Sequence, residues 1–344
     1  MAQSLAVRYR PREYNEILGQ KSVLRILSRQ LETGNISNCY LFSGPSGDGK
    51  TTTARAFANM INKGIGSCIE IDGASNNGVE AVRSIIESAR ERSIDSEYKI
   101  FILDECHAIT NAGWQAFLKC IEEPPQYTIF MFCTTNPEKI PETILNRVMR
   151  FNLSKVDTNL IRQRLEYICK EEEFTDYLEA CDFIAKLSNG GVRDAIATLE
   201  KCANYDTNLS IQNILACLGT FSFDSLFNLT AALYNGDEGE VLMLINDYYN
   251  SGNDLKQFIE QYLEFVIDLT KYIIFKDISM IKIPSSLETR CSGYASIPGI
   301  LQYSNKLVED VLAIKNAIKY DVNSKTTVEA MFIAKCREVE YDSE

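Results

Sequence analysis

A short apolar run, CYLF at residues 39–42, leads into a glycine-rich segment and then into a stretch of helical pattern at residues 52–60. The glycine-rich segment, residues 44–51, reads GPSGDGKT and matches the pattern G-x-x-x-x-G-K-[ST] in full. In such a loop the glycines let successive backbone N–H groups turn toward phosphate oxygens, and the following helix N-terminus adds partial positive charge. The sequence therefore predicts a phosphate-binding loop; a chance glycine-rich turn is the alternative.

The loop side chains predict the ligand to be a nucleoside triphosphate with its metal ion. Lys50 is placed to reach the β- and γ-phosphates of ATP, and Thr51 to ligate Mg²⁺. Asp48 is unusual, because a carboxylate beside phosphates repels them unless it points to solvent. We therefore expect weaker nucleotide binding but not the loss of the site. The predicted contacts in this segment are Gly44, Pro45, Ser46, Gly47, Asp48, Gly49, Lys50, Thr51 and Thr52.

Two further apolar runs, at residues 100–103 and 129–133, also end in polar residues. After the first, Asp104 is placed to hold Mg²⁺ through its water shell and Glu105 to orient the attacking water. After the second, Thr135 is placed to contact the γ-phosphate and report its loss; an ordinary turn is the alternative. His107 is the only histidine, and we interpret it as structural because nucleotide hydrolysis needs no imidazole.

The order of these patterns predicts the fold class. Up to about residue 155, continuous apolar runs typical of strands buried on both faces of a parallel sheet alternate with helical patterns. This alternation indicates an α/β fold with right-handed crossovers. From about residue 157 onward only helical patterns remain, with a break at residues 218–220 and an N-cap at Asn253 or Asp254 near the start of one helix.

Length and composition limit the class of protein. A chain of 344 residues suits two or three domains, and its 47 acidic against 35 basic residues, a net charge of −12, argue against a wholly basic nucleic-acid coat. The apolar runs are too short for a membrane span and we see no signal peptide, so we expect no membrane contact. Eleven cysteines without a C-x-x-C pair favour reduced core thiols over a disulfide framework or a zinc site.

Several segments together resemble one family. The stretches VRYRP at residues 7–11 and ILGQ at 17–20 are similar to the N-terminal signature of clamp loader ATPases, as is EIDGASNNGV at 70–79. The run from DECH at residues 104–107 through AFLK to EEPP at 122–125 is the most specific. The chain resembles the gamma/tau subunits of bacterial DNA polymerase III more than replication factor C, clearly so from about residue 7 to 220.

The resemblance implies an α/β AAA+ P-loop domain with a parallel sheet, followed by a small helical lid and an all-α collar. We expect these domains at residues 1–156, 157–220 and 221–344. Family members assemble as open pentamers that bind ATP, open a ring-shaped sliding clamp and place it on primer–template DNA. We therefore expect the clamp, primer–template DNA and other clamp loader subunits as partners, in a homo- or hetero-oligomer. The expected location is the cytoplasm, at the nucleoid or in a viral replication complex.

The resemblance also implies further site residues. Arg147 aligns with the arginine finger that reaches the ATP of a neighbouring subunit, and Arg193 resembles the second sensor, which reaches ATP from the lid. An ordinary surface arginine and a helix-surface salt bridge are the respective alternatives. The edge of the adenine pocket is expected at Arg10, Pro11, Ile17 and Leu18.

Contact with the DNA backbone is expected from Arg83, Arg90 and Lys119, because helices at these places line the interior of the family's spiral; a solvated basic face is the alternative. The cysteine zinc module of bacterial relatives and the long tail of the tau form have no counterpart in the sequence, so we expect no zinc. Two other functions remain open: a non-hydrolysing scaffold subunit of the same complex, and a different DNA-acting AAA+ motor such as a branch-migration motor.

Overall fold

The structure is a computed structural model that describes residues 3–11, 13–219, 222–252, 254–321 and 323–341. The chain divides into two compact units. The first contains the residues up to 168 together with 188–200, and the second contains 169–187 together with the residues from 201 onward. The three-domain division at 156/157 and 220/221 stays a prediction, and its second boundary, like the candidate cap Asn253, lies outside the described residues.

The first unit is built on a five-stranded sheet in the order β2-β3-β4-β1-β5, with every neighbouring pair parallel. Since all five strands run the same way, the carboxyl ends of β1, β3 and β4 meet at one edge of the sheet, where α/β folds bind ligands. The strands are β1 Cys39–Ser43, β2 Ile69–Asp72, β3 Lys99–Asp104, β4 Thr128–Thr134 and β5 Met149–Asn152.

Three of these strands were predicted from apolar runs, and the prediction is confirmed. The structure extends β1 by one residue and β3 and β4 by one residue at each end. The edge strands β2 and β5 are not evident from apolar patterning, because their sequences, IEID and MRFN, are half polar and mostly exposed. An edge strand pairs on one side only and does not need the continuous apolar run of a central strand.

Helices cover both faces of the sheet and make up the second unit. Within the described residues they are α1 Leu5–Arg8, α2 Lys21–Thr33, α3 Lys50–Ile61, α4 Val79–Arg90, α5 Asn111–Glu122, α6 Glu142–Leu145, α7 Thr158–Glu171, α8 Leu178–Leu187, α9 Val192–Tyr205, α10 Ile211–Leu218, α11 Phe223–Tyr234, α12 Glu238–Asn250, α13 Leu255–Phe275, α14 Glu288–Ala295, α15 Ile300–Ile318 and α16 Ser324–Tyr341.

Alternate strand residues supply two hydrophobic cores on opposite faces of the sheet. On one face Leu41, Phe101 and Phe130 pack with side chains of α4 and α5. On the other face Tyr40 and Met131, with their neighbours, pack with α2 and α3. Burial of this kind contributes roughly 1.5–3 kcal/mol for each large apolar side chain. The sheet edge that carries the polar strand ends is thus held in place from both sides.

The second unit is helical, as predicted for this part of the chain. Its longest helix, α13, buries Phe258, Tyr262, Phe265 and Leu269. The predicted N-cap Asp254 precedes it, and the Asp254 side chain accepts a hydrogen bond from the Lys256 N–H at 2.8 Å. The described cysteines of the whole chain are free thiols, nine of them buried.

No single helix among the described residues is long and apolar enough to cross a membrane. By length and composition alone, α10 and α11 together meet that requirement as a pair, with a bend of 80° between them.

Candidate active site

The phosphate loop leaves the carboxyl end of β1 and enters the N-terminus of α3. A Cβ at Gly44 would lie 2.5 Å from the carbonyl oxygen of Leu153, so only glycine fits there. Gly49 begins the helix with φ at 88°, in the left-handed region that favours glycine. No described side chain caps α3, which leaves its first N–H groups open to a bound anion.

Lys50 lies almost wholly inside this loop. Its side chain is buried, and Nζ donates hydrogen bonds to the carbonyl oxygens of Gly44 at 2.9 Å and Pro45 at 2.6 Å. Among the described residues no carboxylate forms an ion pair with it. A buried ammonium group without a counter-ion is costly, and a phosphate group would supply the missing negative charge. The loop therefore fits a phosphate ligand.

Thr51 and Asp104 come together from α3 and β3. The Thr51 hydroxyl donates a hydrogen bond of 2.8 Å to Oδ2 of Asp104. Hydroxyl and carboxylate oxygens suit Mg²⁺, which keeps several waters and commonly binds one or two carboxylates with substrate phosphates. The described residues contain no cluster of three or more His, Cys, Asp or Glu that could hold a metal ion by themselves. The absence of zinc stays a prediction.

Glu105 follows Asp104 in an unusual backbone conformation, with φ at 44° and ψ at 40°. The Thr135 hydroxyl, just beyond β4, donates to its Oε2 at 3.1 Å, and Nδ1 of His107 lies 3.2 Å from the same oxygen. The structure therefore places Thr135 beside Glu105, the residue that the sequence predicts to orient the attacking water. The contact of Thr135 with the γ-phosphate stays a prediction.

A cavity of about 240 Å³ lies over the loop in the first unit. It is lined by most of the predicted residues, whereas Gly44, Pro45, Thr135 and Arg147 do not border it. The predicted lining residues are Arg10, Pro11, Ile17, Leu18, Asp104, Glu105, Arg193 and those at 46–52.

Arg10, a predicted adenine-edge residue, contacts the first turn of α3. Its Nε donates to the Thr52 hydroxyl at 3.4 Å. Burial, followed by the charges of Arg55 and Arg193, lowers the pKa of the Arg10 guanidinium. Arg10, Lys50 and Arg193 all line this cavity, an arrangement of cations that favours a polyanionic ligand.

Asp48 does not point to solvent. Its side chain is 2% exposed, and its Oδ2 has no hydrogen-bond partner within the described part of the chain. Burial raises the pKa of this carboxyl, opposed by the charges of Lys50 and Lys155 and assisted by that of Asp194. Proton uptake at this carboxyl removes the charge that would repel a phosphate.

Arg147 follows α6. Its Nη2 lies 2.8 Å from Oε1 of Glu122, and its Nη1 donates to the carbonyl oxygen of Thr143 at 2.6 Å. The side chain remains 39% exposed and does not border the cavity of its own chain. The structure therefore does not place Arg147 among the residues of this cavity.

The predicted DNA-contact residues are exposed on α4 and α5, which pack against the same face of the sheet. Arg83 forms an ion pair of 2.8 Å with Glu80. Exposed pairs of this kind are weak, about 0–1 kcal/mol, so they leave the cation available to another anion. The role of Arg83, Arg90 and Lys119 stays a prediction.

Some cavity residues have no motif of their own. Arg164 of α7 lines the cavity and donates from Nη2 to the Tyr9 carbonyl oxygen at 2.7 Å, and Val156, Val192 and Ile196 complete the apolar wall. Helical periodicity places Arg164 on a helix but does not indicate contact with a segment 155 positions earlier.

Comparison with solved structures agrees with the fold. The RuvB Holliday junction branch migration motor of Thermotoga maritima matches with a TM-score of 0.54 and 19% identity, over 65% of this chain and 79% of that chain. At this identity the likeness shows the fold alone. The parallel sheet, the phosphate loop and the acidic end of β3 together define an AAA+ P-loop α/β domain, which a helical collar region follows.

Sequence comparisons are more specific. Two family models match: "DNA polymerase III, delta subunit" over residues 66–157 and "DNA polymerase III subunits gamma and tau domain III" over 209–297. The DNA polymerase III subunit gamma of Buchnera aphidicola is 32% identical over 290 residues, covering 78% of this chain and 80% of the relative. The chain belongs to the gamma/tau family of DNA polymerase III subunits.

The relatives differ in length. The gamma/tau subunit of Mycoplasma genitalium is 31% identical over 304 residues, which are 82% of this chain and 51% of the relative. The tau subunit of Bacillus subtilis is likewise 31% identical, and 51% of it is covered. The chain thus spans about half the length of these curated relatives.

Proposed function

We propose that the chain is an ATP-hydrolysing subunit of a DNA-replication clamp loader, which opens a sliding clamp and loads it on primer–template DNA. The observation that carries the proposal is that residues suited to phosphate binding, Mg²⁺ binding and water activation lie around one phosphate loop. Buried Lys50, the Thr51–Asp104 pair at 2.8 Å and Glu105 all belong to the first unit. The family supports the assignment to DNA replication.

Each residue has a defined task in ATP hydrolysis. Lys50 and the open N–H groups of α3 bind the phosphates, and Thr51 and Asp104 would hold Mg²⁺, which neutralises phosphate charge when bound. Glu105 orients the attacking water and polarises its O–H bond as a general base. Arg193, which lines the cavity from α9, adds positive charge beside the phosphates.

The proposed assembly is an oligomer of clamp loader subunits, in line with the exposed position of Arg147 away from its own cavity. In it, Arg147 reaches the ATP of the neighbouring subunit and stabilises charge in the transition state. The clamp and primer–template DNA are the partners whose binding would be coupled to ATP turnover.

A non-hydrolysing scaffold subunit is the second candidate, favoured by the match of residues 66–157 to the delta-subunit model. The intact set Lys50, Thr51, Asp104 and Glu105 argues against it, because a subunit that does not hydrolyse ATP has no need of these side chains. The likeness to RuvB concerns the fold and does not favour a branch-migration motor.

Steady-state ATP hydrolysis by the purified chain with its partner subunits tests the proposal, with and without primer–template DNA and the sliding clamp. We expect strong joint stimulation by DNA and clamp that is lost in Lys50→Ala. Turnover that is indifferent to the clamp would indicate another AAA+ motor. No turnover under any of these conditions would indicate the scaffold.

A further inference from the structure

His107 lies next to the proposed water-activating carboxylate. It belongs to the short turn Cys106–Ala108 after β3, and its side chain is 19% exposed. Its Nδ1 lies 3.2 Å from Oε2 of Glu105 and 3.2 Å from the hydroxyl oxygen of Thr134, the last residue of β4. One imidazole nitrogen therefore lies between the acid at the end of β3 and the neighbouring strand.

Hydrogen-bonding chemistry decides which atom donates. An ionised carboxylate only accepts hydrogen bonds, so an unprotonated Nδ1 at 3.2 Å from Oε2 would set two lone pairs against each other. With a proton on Nδ1, the imidazole donates its hydrogen bond to the Thr134 hydroxyl oxygen, and the same N–H attracts the Glu105 carboxylate at 3.2 Å. We propose that Nδ1–H of His107 attracts the Glu105 carboxylate and makes His107 a positioning residue for ATP hydrolysis.

The other group at Oε2 of Glu105 cannot hold the carboxylate alone. The Thr135 hydroxyl has one proton, yet it lies within hydrogen-bond distance of two acceptors, Oε2 of Glu105 at 3.1 Å and Oδ1 of Asn136 at 2.9 Å. When that proton turns to Asn136, His107 is the group that keeps the carboxylate in place. The imidazole thus fixes a carboxylate that Thr135 holds only part of the time.

Both groups contact the same oxygen. Among the described residues no donor contacts Oε1 of Glu105, which leaves that oxygen available to a water molecule in the cavity that Glu105 lines. The left-handed backbone of Glu105 sets the direction in which its side chain leaves the chain. The backbone of Glu105 and the imidazole of His107 together hold Oε2 in place and leave Oε1 available to a water molecule.

The inference rests on the proposed ATPase activity and is tested in the assembled, full-length complex. His107→Asn and His107→Asp form a matched pair, because the two side chains have the same shape but only Asn carries an N–H donor. We expect His107→Asn to keep kcat within about threefold of wild type. His107→Asp, which sets a second carboxylate beside Glu105, should lose about 10–100-fold in kcat. The affinity for ATP, measured with a fluorescent analogue, should change less than about twofold in both.

A double-mutant cycle separates positioning from a structural role. In a Glu105→Gln background, which removes the base, His107→Asp should lower the residual rate no further. Equal kcat in the Asn and Asp variants, or a full further loss in the Glu105→Gln background, would overturn the inference. Wild-type turnover in Glu105→Gln alone would instead contradict the proposed function, so the two failures are distinguishable.

Discussion

The hydroxyl of Thr51 donates a hydrogen bond of 2.8 Å to Oδ2 of Asp104, joining the first turn of α3 to the end of β3. β1, which leads to Thr51, and β3 are not neighbours, because β4 lies between them. The parallel order of the sheet brings the two side chains to one edge. A single bound metal ion can therefore take an oxygen from each.

Removing either group should weaken Mg²⁺ binding and so raise the Mg²⁺ concentration that ATP hydrolysis requires. In Thr51→Val and Asp104→Asn we expect the Mg²⁺ concentration for half-maximal turnover to rise about 10–100-fold, because the ion loses a protein ligand. Titration of Mg²⁺ at saturating ATP measures this. Thr33→Val, at an exposed position at the end of α2, is the control, and an unchanged Mg²⁺ requirement in both site variants would contradict the assignment.

Lys50→Ala should abolish hydrolysis. The buried ammonium group has only loop carbonyl oxygens as partners, so its loss removes positive charge at the phosphates and little else. We expect kcat/KM to fall at least about 100-fold with the thermal unfolding midpoint nearly unchanged. Lys21→Ala, on the exposed start of α2, should hydrolyse ATP normally. Near-normal turnover in Lys50→Ala would refute the active-site assignment.

The buried carboxyl of Asp48 should make stability depend on pH. Because burial raises its pKa in the folded chain above the ordinary 3.8, protonated Asp48 favours folding, and this contribution is lost as the pH rises through the folded pKa. We expect Asp48→Asn to gain about 1–3 kcal/mol over wild type at neutral pH and to lose this advantage as the pH falls toward 3.8.

Urea unfolding of the nucleotide-free chain across this pH range measures the effect. Asp95→Asn, at an exposed position, is the control for a change of charge without burial. A constant difference between Asp48→Asn and wild type at every pH would mean that folding does not raise the pKa of Asp48, which would contradict the prediction.

The sequence predicts the central strands and the local motif well. Strands β1, β3 and β4 are buried on both faces along their central residues, which are apolar, and their ends lie within one residue of the prediction. The phosphate loop is recognisable because glycines are required at fixed spacings. Both signals are local in the chain.

Contacts between distant segments are not predictable in this way. Nothing near Arg164 or Tyr9 indicates their hydrogen bond, and the contact of His107 with Thr134 depends on the pairing of β3 with β4. The pKa of Asp48 likewise depends on residues far along the chain, because the charges of Lys155 and Asp194 influence it. Periodicity reports which face of an element is apolar but not which element covers it.

Neutralising Arg83, Arg90 and Lys119 should weaken DNA binding without regard to sequence. Each lost phosphate contact should reduce the slope of log K against log salt concentration by roughly 0.7–0.9. The affinity of the assembled complex for primer–template DNA, measured at several salt concentrations, tests this. Arg25→Ala on α2 is the matched control, because it removes an exposed cation from the opposite face of the sheet. An unchanged slope in the triple variant would contradict the predicted contacts.

Arg147→Ala should abolish the turnover of a neighbouring subunit rather than its own. Its guanidinium does not border the cavity of its own chain and is held by Glu122 and the Thr143 carbonyl oxygen. An arginine finger is worth about 10³–10⁵-fold in kcat, so complexes in which every copy is Arg147→Ala should be nearly inactive while still binding ATP. Arg150→Ala, an exposed arginine on β5, is the matched control and should hydrolyse ATP normally.

Mixed complexes decide whether the arginine acts in trans. Lys50→Ala subunits lack a working site but keep Arg147, whereas Arg147→Ala subunits keep the site and lack the arginine. Each alone should be inactive, and mixing them should restore turnover, because a Lys50→Ala subunit can supply Arg147 to the intact site of its neighbour. If Arg147 instead served the site of its own chain, both kinds of subunit would be defective in every arrangement, and mixing would restore nothing.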